Sequence, residues 1–478
     1  MTTALQVILL LFVPLVTGVL IVQKALGRVS PTGTLPLGLG LGLGLCGLLA
    51  FVSLVVVDTV VLAWELALFA LVVFWSAKGS PSKTYPRIAE RPTPAGRSLL
   101  LAASLLVAIC VGIFIVQARQ SPHGGWDAWD FWNMRARFFH RGGEAWANTF
   151  SQIPWWSHPE YPVLQPAMVA RGFRVLSSET VLVPMLLGFV FTFAAVSVLY
   201  FGVSTLRGRS QGLLAAIVLC CSPYFLYHGT EQYADNPLAF FFLASVVCAA
   251  LYDHREGRCS SALLLSGLFA GLATFLKNEG LMFFVCFACA RSVWVWRKRG
   301  RAEWKHQAWT FMAGALLPLT ATAFFKFNYA VMPDNAEFYT RQWKEWDRGF
   351  VEHVLANASD AKRYRGFFRA WGHHLVSFDA WVVPLAYLLP AYGVIMGRDP
   401  NRPRGMIATM LGTFALQALG VSLLFLLWST YDIFEHMDAL GRLLLQMLPT
   451  VLFVLFAAVK TPFEVELLPD EDAAAPLG

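Results

Sequence analysis

Residues 98–117 read SLLLAASLLVAICVGIFIVQ, and the segment that follows at 125–132 reads GWDAWDFW. An apolar run of that length matches the roughly 20 residues a helix needs to cross bilayer hydrocarbon. The two acids that follow, Asp127 and Asp130, therefore stand where the chain has just left the membrane, among Trp126, Trp129 and Trp132. Tryptophan favours the headgroup depth. The position points to chemistry at a membrane surface.

The same pattern repeats along the chain. Of 478 residues, 57% are hydrophobic and 14% charged, and the charges are bunched in short loops. About thirteen apolar runs are membrane-spanning candidates: 4–22, 35–57, 59–76, 98–117, 179–203, 211–227, 235–251, 261–276, 281–296, 307–327, 379–397, 405–428 and 441–459. The expected fold is an all-α polytopic bundle, with short interfacial helices in two long outer segments, about 118–178 and 328–378. The second of these mixes Trp343, Trp346, Phe350, Phe367, Phe368 and Trp371 with Lys344, Lys362, Arg363, Arg365 and Arg369. Three spans occupy 1–97, a membrane core occupies 98–459, and the acidic tail 460–478, with Glu464, Glu466, Asp470, Glu471 and Asp472, is expected to hang loosely in the cytoplasm.

The formal charge of +7 raises nucleic acid as a partner, but the basic residues alternate between loops. That alternation is the bias that orients helices during insertion, and it makes nucleic-acid binding unnecessary. Lys24 and Arg28; Lys78, Lys83, Arg87, Arg91 and Arg97; Arg207 and Arg209; His254, Arg255 and Arg258; residues 297–305; and Arg398, Arg402 and Arg404 fall on one side, read as cytoplasmic. The N-terminus is then outside and the C-terminus inside. The first span reads as a retained helix rather than a signal peptide.

Three local patterns invite other readings. The eight cysteines lie in apolar runs or, for Cys259, in a loop read as cytoplasmic, so no disulfide framework is expected, and Cys286-x-x-Cys289 reads as packing. Gly42-x-Gly44-x-x-Gly47 matches a dinucleotide fingerprint only superficially, since no strand precedes it; small residues in such a helix allow close packing. Asn357-Ala358-Ser359 is formally a glycosylation sequon.

Ionisable residues at membrane depth are expensive and mark cavities or pairs. Glu231 and Asp235, Lys277-Asn278-Glu279-Gly280, and Glu435, Asp438 and Arg442 fall at helix ends on the same outer side as Asp127 and Asp130. Each has a plainer alternative. Asp127 or Asp130 serves equally as a helix cap, and Trp126, Trp129 and Trp132 as an interfacial belt. Asp235 before Asn-Pro suits an N-cap, Lys277 a snorkel to headgroups, and Arg442 a partner for Asp438 at i,i+4. Glu65, inside the third span, is open between a structural pair and a functional group.

Together the groups fit sugar transfer from a polyprenyl phosphate carrier. A carboxylate takes the proton of an attacking hydroxyl, cations neutralise the departing phosphate, and aromatic rings stack on the sugar. No cluster has metal-ligand spacing, so neither metal nor other cofactor is required.

GWDAW at 125–129 with Trp132, Arg135 and Arg137; HPEYPVLQP at 158–166; YADNPLA at 233–239; LKNEG at 276–280; and DALGRLLLQ at 438–446 resemble, in that order, motifs of the GT-C superfamily of integral membrane glycosyltransferases. The similarity is greatest to bacterial relatives of the aminoarabinose transferases and protein O-mannosyltransferases, and covers about 98–459. It implies a GT-C-like helical fold with Asp127 as catalytic base and Asp130 as its rival. Arg135, Arg137, Lys277 and Arg442 would lie near phosphate, and Asp235 would orient a cation or hydroxyl. Trp126, Trp129, His158, Glu160, Tyr161, Glu279 and Asp438 would complete the substrate site. The resulting expectation is an inverting transfer, on the extracytoplasmic face, to a glycan, lipid or protein of the envelope. A transporter or flippase of a lipid-linked glycan, or a lipid-linked glycan ligase, is the alternative.

Overall fold

A computed structural model describes residues 2–27, 29–78, 88–90, 93–151, 157–255, 257, 259–330, 350–377, 385–428, 438–462 and 465–467. Several residues singled out above lie outside them: Arg28, Lys83, Arg87, Arg91, Arg258, Trp343, Lys344, Trp346, Glu435, Glu464 and Asp470 to Asp472. The side chain of Asp438 is likewise outside the description.

The apolar runs form helices. Among the described residues eight are long and apolar enough to cross a membrane, or nine if a bent pair counts as one span. The first three helices are α1 (Thr3–Leu26), α2 (Pro31–Val57) and α3 (Leu62–Ala77). The Thr2 hydroxyl caps α1, and Pro31 opens α2 where its missing N–H leaves nothing unpaired. Helix α4 (Pro94–Gln120) contains the opening apolar run, capped by Thr93.

The segment after α4 contains a π-helical turn (Ala128–Trp132), α5 (Asn133–Arg141) and the mostly buried α6 (Leu164–Leu176). Then come α7 (Leu182–Arg207), α8 (Arg209–Cys220), α9 (Pro223–Thr230), α10 (Asp235–His254) and α11 (Ser260–Leu276). The expected single span 211–227 is instead broken. Helices α8 and α9 meet at 64°, because Ser222 caps a new helix and Pro223 supplies no N–H to continue the old one. Helix α10 is buried along almost its whole length and forms the centre of the bundle.

Helix α12 (Asn278–Asn328) joins the two runs expected at 281–296 and 307–327, and folds back at Gly300, whose φ of 85° is open to glycine. The remaining helices are α13 (Phe350–Ser359), α14 (Ala361–Ser377), α15 (Leu385–Met396), α16 (Arg404–Leu423) and α17 (Asp438–Ala458), with a second π-helical turn (Leu424–Trp428) after α16.

Two side-chain devices bind the N-terminal helices to the rest. The glycines of α2 form a packing seam, as a Cβ on Gly42 would sit 1.8 Å from the Pro14 carbonyl and one on Gly18 1.8 Å from that of Gly38. Glu65 is a structural partner: it accepts a two-pronged pair from Arg171 of α6 at 2.7 and 2.9 Å, and the same guanidinium bonds the Leu10 carbonyl. Both residues are buried.

The tail does not hang entirely free. Val465–Leu467 pairs antiparallel with Ile88–Glu90, satisfying backbone groups of both segments. All eight cysteines are free thiols.

Candidate active site

The GWDAW segment is fixed from behind. Gly125 donates its N–H to the Glu231 carbonyl at 3.1 Å, and a Cβ there would lie 1.9 Å from Glu231 Oε2 and would have to displace that carboxylate. Chain leaving this contact enters the π-helical turn with Asp127 at its start. Asp127 makes no capping bond. Its carboxylate instead reaches Arg442 Nη2 at 2.6 Å.

Arg442 and Gln446 stand one turn apart on α17 and share a face. Their common target is Asp235, which is fully buried at the start of α10 and makes no capping bond either. Arg442 donates to Asp235 Oδ2 at 2.8 and 3.2 Å, Gln446 to Oδ1 at 2.6 Å, and Lys277 to Oδ1 at 3.1 Å. The plainer readings of Asp235 as a cap and Lys277 as a snorkel therefore fail. Lys277 is 3% exposed, held in the extended joint between α11 and α12, with Glu279 at 2.9 Å as its second partner. A buried acid facing two cations and an amide fixes three helices at one point.

Asp127, Lys277, Glu279, Arg442 and Gln446 line a cavity of about 910 Å³, whereas Asp235 stays buried behind them and outside its lining. Its polar side carries Asp127, Asp130, His158, Lys277, Asn278, Glu279, Arg442 and Gln446, with Trp126, Phe131 and Tyr161 beside them. Its apolar side is Met282, Val421, Leu424, Phe425 and Leu443. The lining thus combines charge and aromatic faces with hydrocarbon.

Tyr161 connects the two outer motifs. Its ring stacks on Trp132 at 5.8 Å and carries the Lys277 ammonium 5.6 Å from its centre. Burial, then the Glu279 and Glu160 carboxylates, push the Tyr161 hydroxyl well above its ordinary range, so it remains protonated. Tyr233 supports Arg442 in the same way, its ring 4.7 Å from the guanidinium. Burial and the Asp127 carboxylate raise its hydroxyl too.

The structure does not bring every expected residue to the cavity. Arg135 is completely buried and donates to the carbonyls of Ser157, His158 and Tyr161, so it holds the HPEYP loop rather than meeting phosphate. Burial pushes it down to about 10. Arg137 faces Glu179 at 3.5 Å. Trp129 packs edge-on against Trp126 at 4.5 Å, one layer out. Glu160 accepts from His158 at 3.1 Å, and its carbonyl receives Lys326, leaving its carboxylate outside the lining.

Sequence reasoning assigned no role to Gln446, Tyr233, Asn278, Phe131 or the wall from α16. Gln446 was within reach, being four residues past Arg442. The wall was not, because its π-helical turn depends on distant partners: Arg363 donates to the Phe425 and Leu426 carbonyls at 2.7 and 3.0 Å, and Asn357 to that of Leu427 at 2.9 Å. The Asn357 amide of the sequon is thereby engaged inside the protein.

Residues 158–325 match the model of the dolichyl-phosphate-mannose-protein mannosyltransferase family, a stretch that includes Tyr161, Asp235 and Lys277 but neither Asp127 nor Arg442. No curated protein and no solved structure matches the chain. Taken with its membrane-length helices, the family match supports a GT-C superfamily glycosyltransferase integral to the membrane.

Proposed function

We propose that the cavity transfers a sugar from a polyprenyl-phosphate-linked donor to an envelope acceptor, with inversion at the anomeric carbon, on the extracytoplasmic side. The observation that carries this reading is the sharing of one cavity by Asp127, Lys277 and Arg442 with the apolar side chains of Val421, Leu424 and Phe425. The isoprenoid chain lies along Val421, Leu424 and Phe425, and the phosphate meets Lys277 and Arg442.

The phosphate competes with Asp127 for the Arg442 guanidinium. As Arg442 turns to the phosphate, Asp127 becomes available to accept the proton of the acceptor hydroxyl. The hydroxyl oxygen bonds to the anomeric carbon while the bond to the phosphate oxygen breaks, and polyprenyl phosphate leaves with that electron pair. Positioned general bases contribute about 10²–10⁴-fold. The side assignment rests on the basic residues 297–305, which lie at the far end of the α12 arm that begins beside the cavity.

Asp127→Asn keeps the size of the side chain and removes its basicity. Measured in membranes as label moved from a polyprenyl-phosphate-mannose donor into the envelope fraction, near-normal transfer by this variant would reject Asp127 as base. Comparing envelope glycans with and without the gene distinguishes transfer, which predicts a lost decoration, from flipping, which predicts carrier retained on the inner leaflet.

A further inference from the structure

The two arms of α12 part near their bend around a slot of about 100 Å³, lined by Phe287, Val295, Trp304, Phe311 and Met312. Two polar side chains also line it, Arg291 and Gln307, which are 5% and 3% exposed. Their polar atoms are only partly used. Arg291 grips Asp253 with both terminal nitrogens, at 3.1 and 3.0 Å, but its Nε–H has no partner. Gln307 donates to Glu303 at 2.6 Å, but its carbonyl oxygen has none. A buried donor and a buried acceptor left open in an apolar slot each carry a desolvation penalty unless something meets them.

The surroundings say what that something is. Arg297, Lys298, Arg301 and Lys305 stand exposed around the bend, and Trp296 and Trp309 are exposed at its flanks. Insertion bias accounts for the surface cations, but not for the open Arg291 and Gln307 atoms beneath them.

We propose that this slot binds an anionic phospholipid whose headgroup carries a hydroxyl. Its acyl chain enters against Phe287, Phe311 and Met312. A phosphate or ester oxygen accepts from Arg291 Nε, the headgroup hydroxyl donates to the Gln307 carbonyl, and the basic bend neutralises the remaining charge. Arg291 stands nine residues past Met282, which lines the sugar-transfer cavity on the same arm, so at about 1.5 Å per residue the two sites lie roughly 14 Å apart along the helix. It is independent of what that cavity does.

The test is native mass spectrometry of the full chain, released from vesicles containing equal phosphatidylglycerol and phosphatidylcholine with matched acyl chains. Phosphatidylglycerol is expected to be retained about tenfold over phosphatidylcholine. Ala308→Phe, which fills the slot, is expected to reduce that retention about tenfold. Should Ala308→Phe fail to fold, Met312→Phe fills the slot from its 40% exposed side and serves the same purpose. Gln307→Leu is expected to remove the advantage of phosphatidylglycerol over phosphatidic acid, which lacks the glycerol hydroxyls. Equal retention of the two vesicle lipids, or undiminished phosphatidylglycerol on a folded slot-filling variant, overturns the proposal.

Discussion

Asp127 and Asp235 share one nitrogen of Arg442, at 2.6 and 2.8 Å. The first acid is partly open to the cavity and the second is fully buried, so one guanidinium joins a buried carboxylate to the cavity face. This asymmetry separates what the two acids do.

Asp127→Asn and Asp130→Asn should therefore differ. Loss of the proposed base predicts a fall in transfer of about 10²–10⁴-fold for the first, with little change in melting temperature. The Asp130 variant should retain most of its rate. Initial rates in purified membranes decide it, and the opposite ranking would move the base to Asp130.

Asp235→Asn should act on stability as well as rate. It leaves Lys277 with only Glu279 and Arg442 with only Asp127 as acidic partners, and losing a buried counter-charge costs up to about 3–5 kcal/mol. A lower unfolding temperature of the purified protein is the expected signature; an unchanged one would mean the two cations find other partners.

Glu65→Gln should destabilise through the same physics, leaving Arg171 buried without a counter-ion, again by about 3–5 kcal/mol. The double change Glu65→Met with Arg171→Leu should recover most of the loss. Thermal unfolding of the two variants against the parent measures the recovery, and a double variant no more stable than Glu65→Gln would argue against it.

Gly42→Leu should push α1 from α2, because the added Cβ already overlaps the Pro14 carbonyl. Overpacking of this kind costs about 1–3 kcal/mol. The same substitution leaves the sugar-transfer cavity untouched, so residual activity in the folded fraction should be normal per molecule.

Acid should loosen the HPEYP loop only late. Burial raises the Glu160 carboxyl, but the His158 hydrogen bond and charge, with Arg135 behind, outweigh it and hold the group below its ordinary value of 4.5. A depressed carboxyl gives stability that is present above the ordinary range and is lost as pH falls through the lower, folded value. Limited proteolysis within 157–163 should stay slow to below pH 4.5, and Glu160→Gln should abolish the acid-dependent step.

The bundle was legible because hydrocarbon demands long apolar runs, and the expected runs that fall on described residues are helical. What hydropathy averages away is where a run breaks: Ser222-Pro223 bends one expected span, and Gly300 folds α12 back. At the site, charges at helix ends drew attention to Asp127, Asp235, Lys277 and Arg442, but nothing local distinguished them from Arg135. That guanidinium has the same chemistry and a neighbouring motif, and it is spent on backbone carbonyls reached only after the loop closes over it. Arg171 went unnoticed for a similar reason, since its partner Glu65 comes from another helix.

The grip of Asn357 and Arg363 on the carbonyls of residues 425 to 427 ties a surface element to the hydrocarbon wall of the cavity. Unpaired backbone oxygens in lipid cost several kcal/mol each. Helices α13 and α14 therefore cannot slide over a stationary wall: lever and partition travel as one piece, and a displacement of either helix redraws the outline of the chamber.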